Sequence, residues 1–150
     1  MKKKRVVIIS LLLLLVSVIG ISSYFLFKDK INLLDVDHSA VDWNGKKQKD
    51  TSGEENTIAI PGFEKVTLYA NETKQAVNFH NPEINDCYFK ISLIHPDGSV
   101  LWISDLIEPG KGMYSIELEK TLAVGEYENA VLKYECFSLN DQSPLNGSEI

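Results

Sequence analysis

The chain has 150 residues, with 15 Lys and Arg against 21 Asp and Glu, which gives a formal net charge of −6. That length allows one ordinary domain with an appendage and excludes a multidomain enzyme. The first 27 residues carry four basic side chains and no acidic one, which leaves 11 basic and 21 acidic residues in 28–150, a net charge of −10. A body this acidic would repel phosphate backbones, so we expect no binding of nucleic acid.

The first predicted element is an apolar transmembrane helix over residues 6–27. The segment contains no charged residue, and 22 residues at 1.5 Å each reach about 33 Å, enough for a hydrocarbon core of about 30 Å. The basic tail 1–5 favours a cytoplasmic N-terminus, so the sequence predicts a single-pass signal anchor with an extracellular remainder. The alternative is a cleaved signal peptide, with Gly20-Ile21-Ser22 as its cleavage signal.

Residues 28–56 come next and mix charges of both signs with Gly, Asn and Ser. This composition predicts a flexible stalk between the membrane and a folded domain. Its apolar residues leave two alternatives open, a short helix or a contact with the domain: Ile31, Leu33, Leu34 and Trp43. Its acidic residues and histidine lack the spacing of an EF-hand loop, so we expect a solvated acidic face and no metal site: Asp35, Asp37, His38 and Asp42.

From Thr57 onward, apolar and polar residues alternate in short runs separated by turn residues. Alternation with period two is typical of strands that bury one face. It predicts strands within 65–70, 76–80, 87–93, 100–103, 113–118 and 127–139, with a hairpin turn at 95–99. Six or seven strands without an amphipathic helix predict an all-β antiparallel sandwich of the immunoglobulin or fibronectin type III kind over 57–150.

A possible tyrosine corner makes the sandwich prediction more specific. Residues 122–127 resemble the corner that leads into the sixth strand of such sandwiches. There, Gly125 would let the chain turn and the hydroxyl of Tyr127 would bond back to a nearby backbone group.

The two cysteines define a candidate register. Pairing the strand that starts at Cys87 with the strand that ends near Cys136 also places inward-facing residues opposite one another: Phe89 with Tyr134, Ile91 with Leu132, and Leu93 with Ala130. In an exported domain this register predicts a disulfide between Cys87 and Cys136, which contributes about 3–4 kcal/mol. The alternative is two buried free thiols, since cysteine packs well as a small apolar residue.

No catalytic constellation is recognisable in the sequence. It contains no phosphate-binding loop, dinucleotide-binding glycine run or serine-hydrolase motif, and the three histidines lack zinc-type spacing. We therefore expect no enzyme, no cofactor and no metal site. Tyr88, Trp102 and Tyr114 are the candidates for an aromatic platform that binds sugar or peptide; the alternative for Trp102 is a place in the core.

The C-terminal residues predict an unpaired sheet edge. Residues 143–147 have the composition of a turn, and 148–150 would start a further strand that is either short or truncated. An unpaired edge favours the addition of a strand from another chain.

Five segments resemble a family of small exported proteins of Gram-positive bacteria, often encoded near mobile or conjugative elements: Ile60-Pro-Gly-Phe63-Glu, Cys87-Tyr88-Phe89, Glu108-Pro-Gly110, Leu132-Lys-Tyr134-Glu-Cys136 and Pro144-Leu-Asn-Gly147-Ser-Glu-Ile150. The resemblance covers about 57–150 together with the anchor. It implies a membrane-anchored sandwich outside the cytoplasm and supplies no functional residue. Members tend to continue through one more apolar strand.

These patterns together predict a non-enzymatic module, anchored in the cell membrane, that binds a protein partner at the cell surface. The alternative is a module that binds cell-wall polysaccharide through exposed aromatic residues. A hydrolase with a site assembled from scattered residues is the third hypothesis.

Overall fold

The structure, a computed structural model, describes residues 33–45 and 57–150, and none of these residues lies in a helix. They form seven strands: β1 (Val41–Asp42), β2 (Lys74–His80), β3 (Cys87–Ile94), β4 (Val100–Ile103), β5 (Lys111–Glu117), β6 (Val131–Ser138) and β7 (Pro144–Glu149). One sheet has the order β1-β5-β2 and the other the order β4-β3-β6-β7, and every pairing is antiparallel. The all-β prediction is confirmed for the described residues.

The predicted membrane segment 6–27 lies outside the described residues, as do the basic tail and residues 28–32 and 46–56 of the predicted stalk. Within the described ranges, no helix has the length and hydropathy needed to cross a membrane.

One hydrophobic core joins the two sheets. It contains Phe79 and Ile116 from the smaller sheet and Phe89, Ile91 and Tyr134 from the larger one. The rings of Phe89 and Tyr134 meet edge to face, with centroids 5.4 Å apart. Alternation along β3 and β6 places these side chains on the inner face, as the period-two pattern predicts.

The pairing of β3 with β6 differs from the predicted register by two residues. Cys87 lies opposite Ser138, and Phe89 lies opposite Cys136. A shift of two keeps every apolar residue on the inner face, whereas a shift of one would turn them all outward. The alternation therefore fixes the face of each residue and leaves even shifts of register undetermined.

Residues 65–70, predicted as a strand, belong to neither sheet. Val66 and Leu68 still pack against the core, so the alternation reflects burial without strand pairing. The backbone is held instead by the side chain of Gln75, whose Oε1 accepts from the Tyr69 N–H at 2.7 Å and whose Nε2 donates to the Tyr69 carbonyl at 2.9 Å.

The side-chain amide of Asn85 binds the backbone of Ala59 in the same way. Asn85 Oδ1 accepts from the Ala59 N–H at 2.8 Å, and Asn85 Nδ2 donates to the Ala59 carbonyl at 2.9 Å. The same Nδ2 donates to Asn81 Oδ1 at 2.8 Å, and Asn81 in turn donates to the carbonyls of Cys87 and Ile107. This buried network ties Ala59 to Cys87 at the start of β3 and to Ile107.

The predicted hairpin between β3 and β4 is present. The His95 N–H donates to the Ser99 carbonyl at 2.9 Å. Gly98 has φ of 84°, which is the left-handed conformation expected of glycine in a turn.

The last turn lies earlier than predicted. The chain reverses before Ser143, with Gln142 at φ of 54°, and β7 already begins at Pro144. Gly147 lies in a bulge of β7, where an added Cβ would come within 2.2 Å of the Tyr134 carbonyl oxygen. Glycine is thus needed there for close approach to β6 and not for a turn.

Part of the predicted stalk packs on the domain. Residues 34–45, here called the strap, belong to the same compact unit as the sheets. Val36 forms a bridge with Leu106, and β1 pairs with β5. For these residues the structure shows the alternative of a contact with the domain, because their backbone groups find partners there.

We predict that Asn85→Ala lowers the free energy of unfolding by about 2–4 kcal/mol, since it leaves buried polar groups of Ala59 and Asn81 without partners. Asn140→Ala, at an exposed position, is the matched control and should have little effect. Urea unfolding followed by tryptophan fluorescence measures both; equal losses for the two variants would contradict the role assigned to Asn85.

Candidate functional site

Two surface features of the described residues are candidates for function: the strap with the groove that it occupies, and the open edge of β7. The strap begins at Leu34, which is bound by Gln142 in the turn before β7. Gln142 Oε1 accepts from the Leu34 N–H at 2.6 Å, and Gln142 Nε2 donates to the Leu34 carbonyl at 3.0 Å. This side-chain amide therefore takes the place of a neighbouring strand.

Main-chain bonds continue along the strap. The Leu106 N–H donates to the Asp35 carbonyl at 2.9 Å, and the Leu106 carbonyl accepts from the Asp37 N–H at 2.8 Å. The Asp37 carboxylate accepts from the N–H groups of Ser39 and Asp105. Asp37 thus stabilises the local turn, and across the described residues no group of three or more His, Cys, Asp or Glu side chains is arranged to hold a metal ion.

Trp43 occupies a slot built by β2 and β5. Its indole stacks on the imidazole of His80, with ring centroids 3.8 Å apart and an interplanar angle of 10°. Its Nε1–H donates to Asn78 Oδ1 at 2.8 Å. The indole lies across Gly112, where an added Cβ would be 2.8 Å from Trp43 Cδ1. Only glycine at this position leaves room for the ring.

His80 forms the floor of this slot. Its side chain is buried, with 4% of the residue exposed, and Nδ1 has no hydrogen-bond partner. Burial lowers the pKa of His80 below its ordinary value of 6.5, while a hydrogen bond with the backbone of Asn78 acts in the opposite direction. Protonation of His80 therefore works against the folded arrangement.

Two polar contacts flank the slot. Lys111 Nζ lies 2.5 Å from Asp42 Oδ1, and this hydrogen bond lowers the pKa of the Asp42 carboxyl. The Tyr114 hydroxyl accepts from the Asn44 N–H and donates to Asn44 Oδ1, both at 2.9 Å. The ion pair is solvent-exposed and contributes little stability, so these contacts mainly define the position of the strap.

The second feature is a groove of about 480 Å³ along β6 and β7. Lys133, Glu135 and Phe137 line it from β6, and Pro144, Leu145 and Glu149 line it from β7. Within the part of the chain that the structure describes, β7 pairs only with β6, so its other edge is open.

One donor of the β7 edge points away from the sheet. Leu132 and Ile150 exchange both of their backbone hydrogen bonds. Since bonded and non-bonded pairs alternate in an antiparallel ladder, the N–H of Glu149, opposite Lys133, faces away from β6. Leu145 is 44% exposed on the same strand. The edge thus offers both a main-chain donor and an apolar side chain.

The predicted aromatic platform is not formed. Trp102 is only 8% exposed and lies opposite Leu93 on the inner face, where it packs against Phe79. Tyr88 lies on β3 of the larger sheet and Tyr114 on β5 of the smaller one. Trp102 thus takes the alternative place, in the core, and does not share a surface with Tyr88 or Tyr114.

The predicted disulfide is also absent. Cys87 and Cys136 are free, buried thiols, and the two-residue register shift places them diagonally instead of directly opposite. Hydrogen bonding between them lowers the pKa of the Cys87 thiol and raises the pKa of the Cys136 thiol, which burial raises further.

The bond expected of a tyrosine corner occurs at Tyr127. Its hydroxyl donates to the Ala123 carbonyl, four residues upstream, at 3.0 Å. Gly125 does not adopt the left-handed conformation, and a Cβ there would make only an ordinary contact with the Tyr127 ring. The turn therefore does not depend on glycine.

Comparison of the chain with known protein families, curated proteins and solved structures finds no match. The assignment of function therefore depends on geometry. Sequence reasoning missed His80, Asn78 and Gly112 as the slot for Trp43. The one signal for it was Trp43 itself, a large aromatic residue in a polar segment.

We predict that Trp43→Ala releases the strap without unfolding the domain. Loss of the stack and of the indole hydrogen bond removes about 1–2 kcal/mol, so the amides of 34–45 should exchange with deuterium roughly 10-fold faster. Tyr69→Ala removes an aromatic ring that is exposed and serves as the control. Unchanged exchange in Trp43→Ala would show that the ring does not hold the strap.

We also predict that lowering the pH reduces the free energy of unfolding before the carboxylates titrate. The unfolded chain takes up a proton at His80 near pH 6.5, whereas the folded chain resists it, so the free energy of unfolding decreases as pH drops below 6.5. Asp42, Asp97 and Asp141 have lowered pKa values, and their contribution is lost only below about 3.8.

Urea unfolding between pH 7.5 and pH 5 tests this prediction. His80→Gln should flatten the profile, and His38→Gln, at an exposed position, should leave it unchanged. A profile that keeps its slope in His80→Gln would assign the dependence to another group.

Proposed function

We propose that the chain is a non-enzymatic interaction module, held at the outer face of the cell membrane by residues 6–27. Its domain, an immunoglobulin-like sandwich, would bind an extended segment of a partner protein by strand addition at β7. The observation that carries this proposal is the open β7 edge with the groove beside it.

The form of the edge supports strand addition. Five of the six residues of β7 are exposed, and the outward N–H of Glu149 supplies a donor for a partner's carbonyl. The bulge at Gly147 divides the edge into two short stretches. Bulges protect edge strands from indiscriminate pairing, so the partner must match this interruption.

Charge indicates the chemistry of the partner segment. Lys133, Glu135 and Glu149 line the groove, and Lys133 Nζ lies 3.5 Å from Glu135 Oε1. The acidic character therefore comes from Glu149 and from the net charge of −10 over residues 28–150. An acidic surface attracts basic chains and speeds their association. We therefore propose an extended segment that contains Lys or Arg beside apolar residues that contact Leu145 and Phe137.

The three histidines lie in three separate parts of the described residues. His38 is in the strap, His80 is beneath Trp43, and His95 is in the β3–β4 turn. The carbohydrate alternative lacks its main support, because Trp102 is buried.

Photocrosslinking on intact cells tests the proposal. A photoreactive residue at Leu145 should give a discrete protein adduct, and the same residue at Val124, which is 86% exposed, should not. Glu149→Pro removes the outward N–H without removing a ladder bond, and should lower the adduct yield about 10-fold. Glu149→Ala keeps the N–H and should retain most of the yield.

Equal adducts from the two positions, or equal yields from the two Glu149 variants, would contradict strand addition at β7. Location is tested separately, by external protease on intact cells. The proposal requires digestion of 57–150 in intact cells; protection until the cells are lysed would contradict the extracellular assignment.

A further inference from the structure

We propose that the strap is exchanged between two copies of this chain. In the exchanged dimer, residues 34–45 of one copy pair with β5 of the other, and each Trp43 lies in the other copy's slot over Gly112. The partner is therefore a second copy, and the surface is the groove that the strap occupies within one chain.

The strap is bound in a way that permits release. None of residues 34–45 is buried. They are held by main-chain bonds, the Gln142 amide, the Asn44–Tyr114 contact, one ion pair, the Trp43 slot and the partly buried Ala40, which packs against the core. Elements with few buried apolar contacts open at low free energy, well below global unfolding. The strap can therefore leave its groove while the core stays folded.

The groove recognises features that every copy supplies. Its contacts are the Gln142 amide, the backbone of Leu106, the edge of β5 and the Trp43 slot. A second copy provides the same strap, so each contact can form equally well between chains. Mutual exchange gives a closed, twofold symmetric dimer, since each copy gives one strap and receives one.

The connection between strap and domain is long enough. Eleven residues, 46–56, join Gly45 to Thr57, and none of them is apolar. Fully extended, they reach about 36–40 Å, whereas a domain of about 100 residues has a radius of gyration of only about 13 Å. A strap can therefore reach a neighbouring domain without unfolding its own.

The strap makes the same contacts within one chain and between two chains. The ratio of the exchanged dimer to the closed monomer therefore depends on the local concentration of copies. Anchoring in one membrane, part of the function proposed above, would raise the effective concentration of copies. The exchange itself involves β5 and not β7, so its failure would leave the β7 proposal unaffected.

Cysteine crosslinking between full-length chains tests the exchange. Asp42 and Lys111 are directly opposite in the β1–β5 pairing, and opposite residues lie within the Cα range of a disulfide. Two differently tagged chains, Asp42→Cys and Lys111→Cys, are expressed in the same membrane and oxidised. A covalent heterodimer is expected, at least 5-fold above the background of the wild-type chains.

The matched control pairs the Asp42→Cys chain with a Lys120→Cys chain, since Lys120 is exposed and lies outside the groove. Adding Trp43→Ala to the Asp42→Cys chain should lower the heterodimer yield about 10-fold. The double variant Asp42→Cys/Lys111→Cys calibrates the yield by its crosslink within one chain. Heterodimer no more abundant than with Lys120→Cys, or unaffected by Trp43→Ala, would overturn the exchange.

Discussion

The structure depends on how backbone groups outside the sheets find hydrogen-bond partners. Buried N–H and carbonyl groups need partners, and among the described residues 34–40 and 57–70 belong to neither sheet. Gln75, Asn85 and Gln142 meet that need in the same way, because each amide both accepts from and donates to one backbone residue. Side-chain amides thus act as single-residue substitutes for a neighbouring strand.

The burial of each amide determines what it stabilises. Asn85 joins Asn81 in a buried network, where an unpaired group is costly, so the backbone of Ala59 is held firmly to the domain. Gln142 holds Leu34 at the partly exposed start of the strap, where water competes for the same groups. The same pair of hydrogen bonds is therefore expected to contribute more to stability at Ala59 than at Leu34.

These differences explain what the sequence could predict. The alternation of apolar and polar residues predicts the inner faces of β3 and β6, and the turn residues predict the hairpin at Gly98. Both signals are local properties of the sequence. The alternation could not choose between even register shifts, so the pairing of Cys87 was misplaced by two residues. Nor could it place the strap, since the slot for Trp43 combines Asn78, His80 and Gly112 from two strands. Such convergence is a property of the tertiary structure.

The two proposed surfaces meet at Gln142. This residue lies in the turn between β6 and β7 with a positive φ, and its side chain holds the first residue of the strap. A strand that pairs with β7 approaches one end of this turn, and a strap that leaves its groove frees the amide at the same place. The outward N–H of Glu149 lies at the opposite end of β7 from this turn, so the two proposals involve neighbouring elements without sharing a contact, and any energetic coupling between them must be reciprocal.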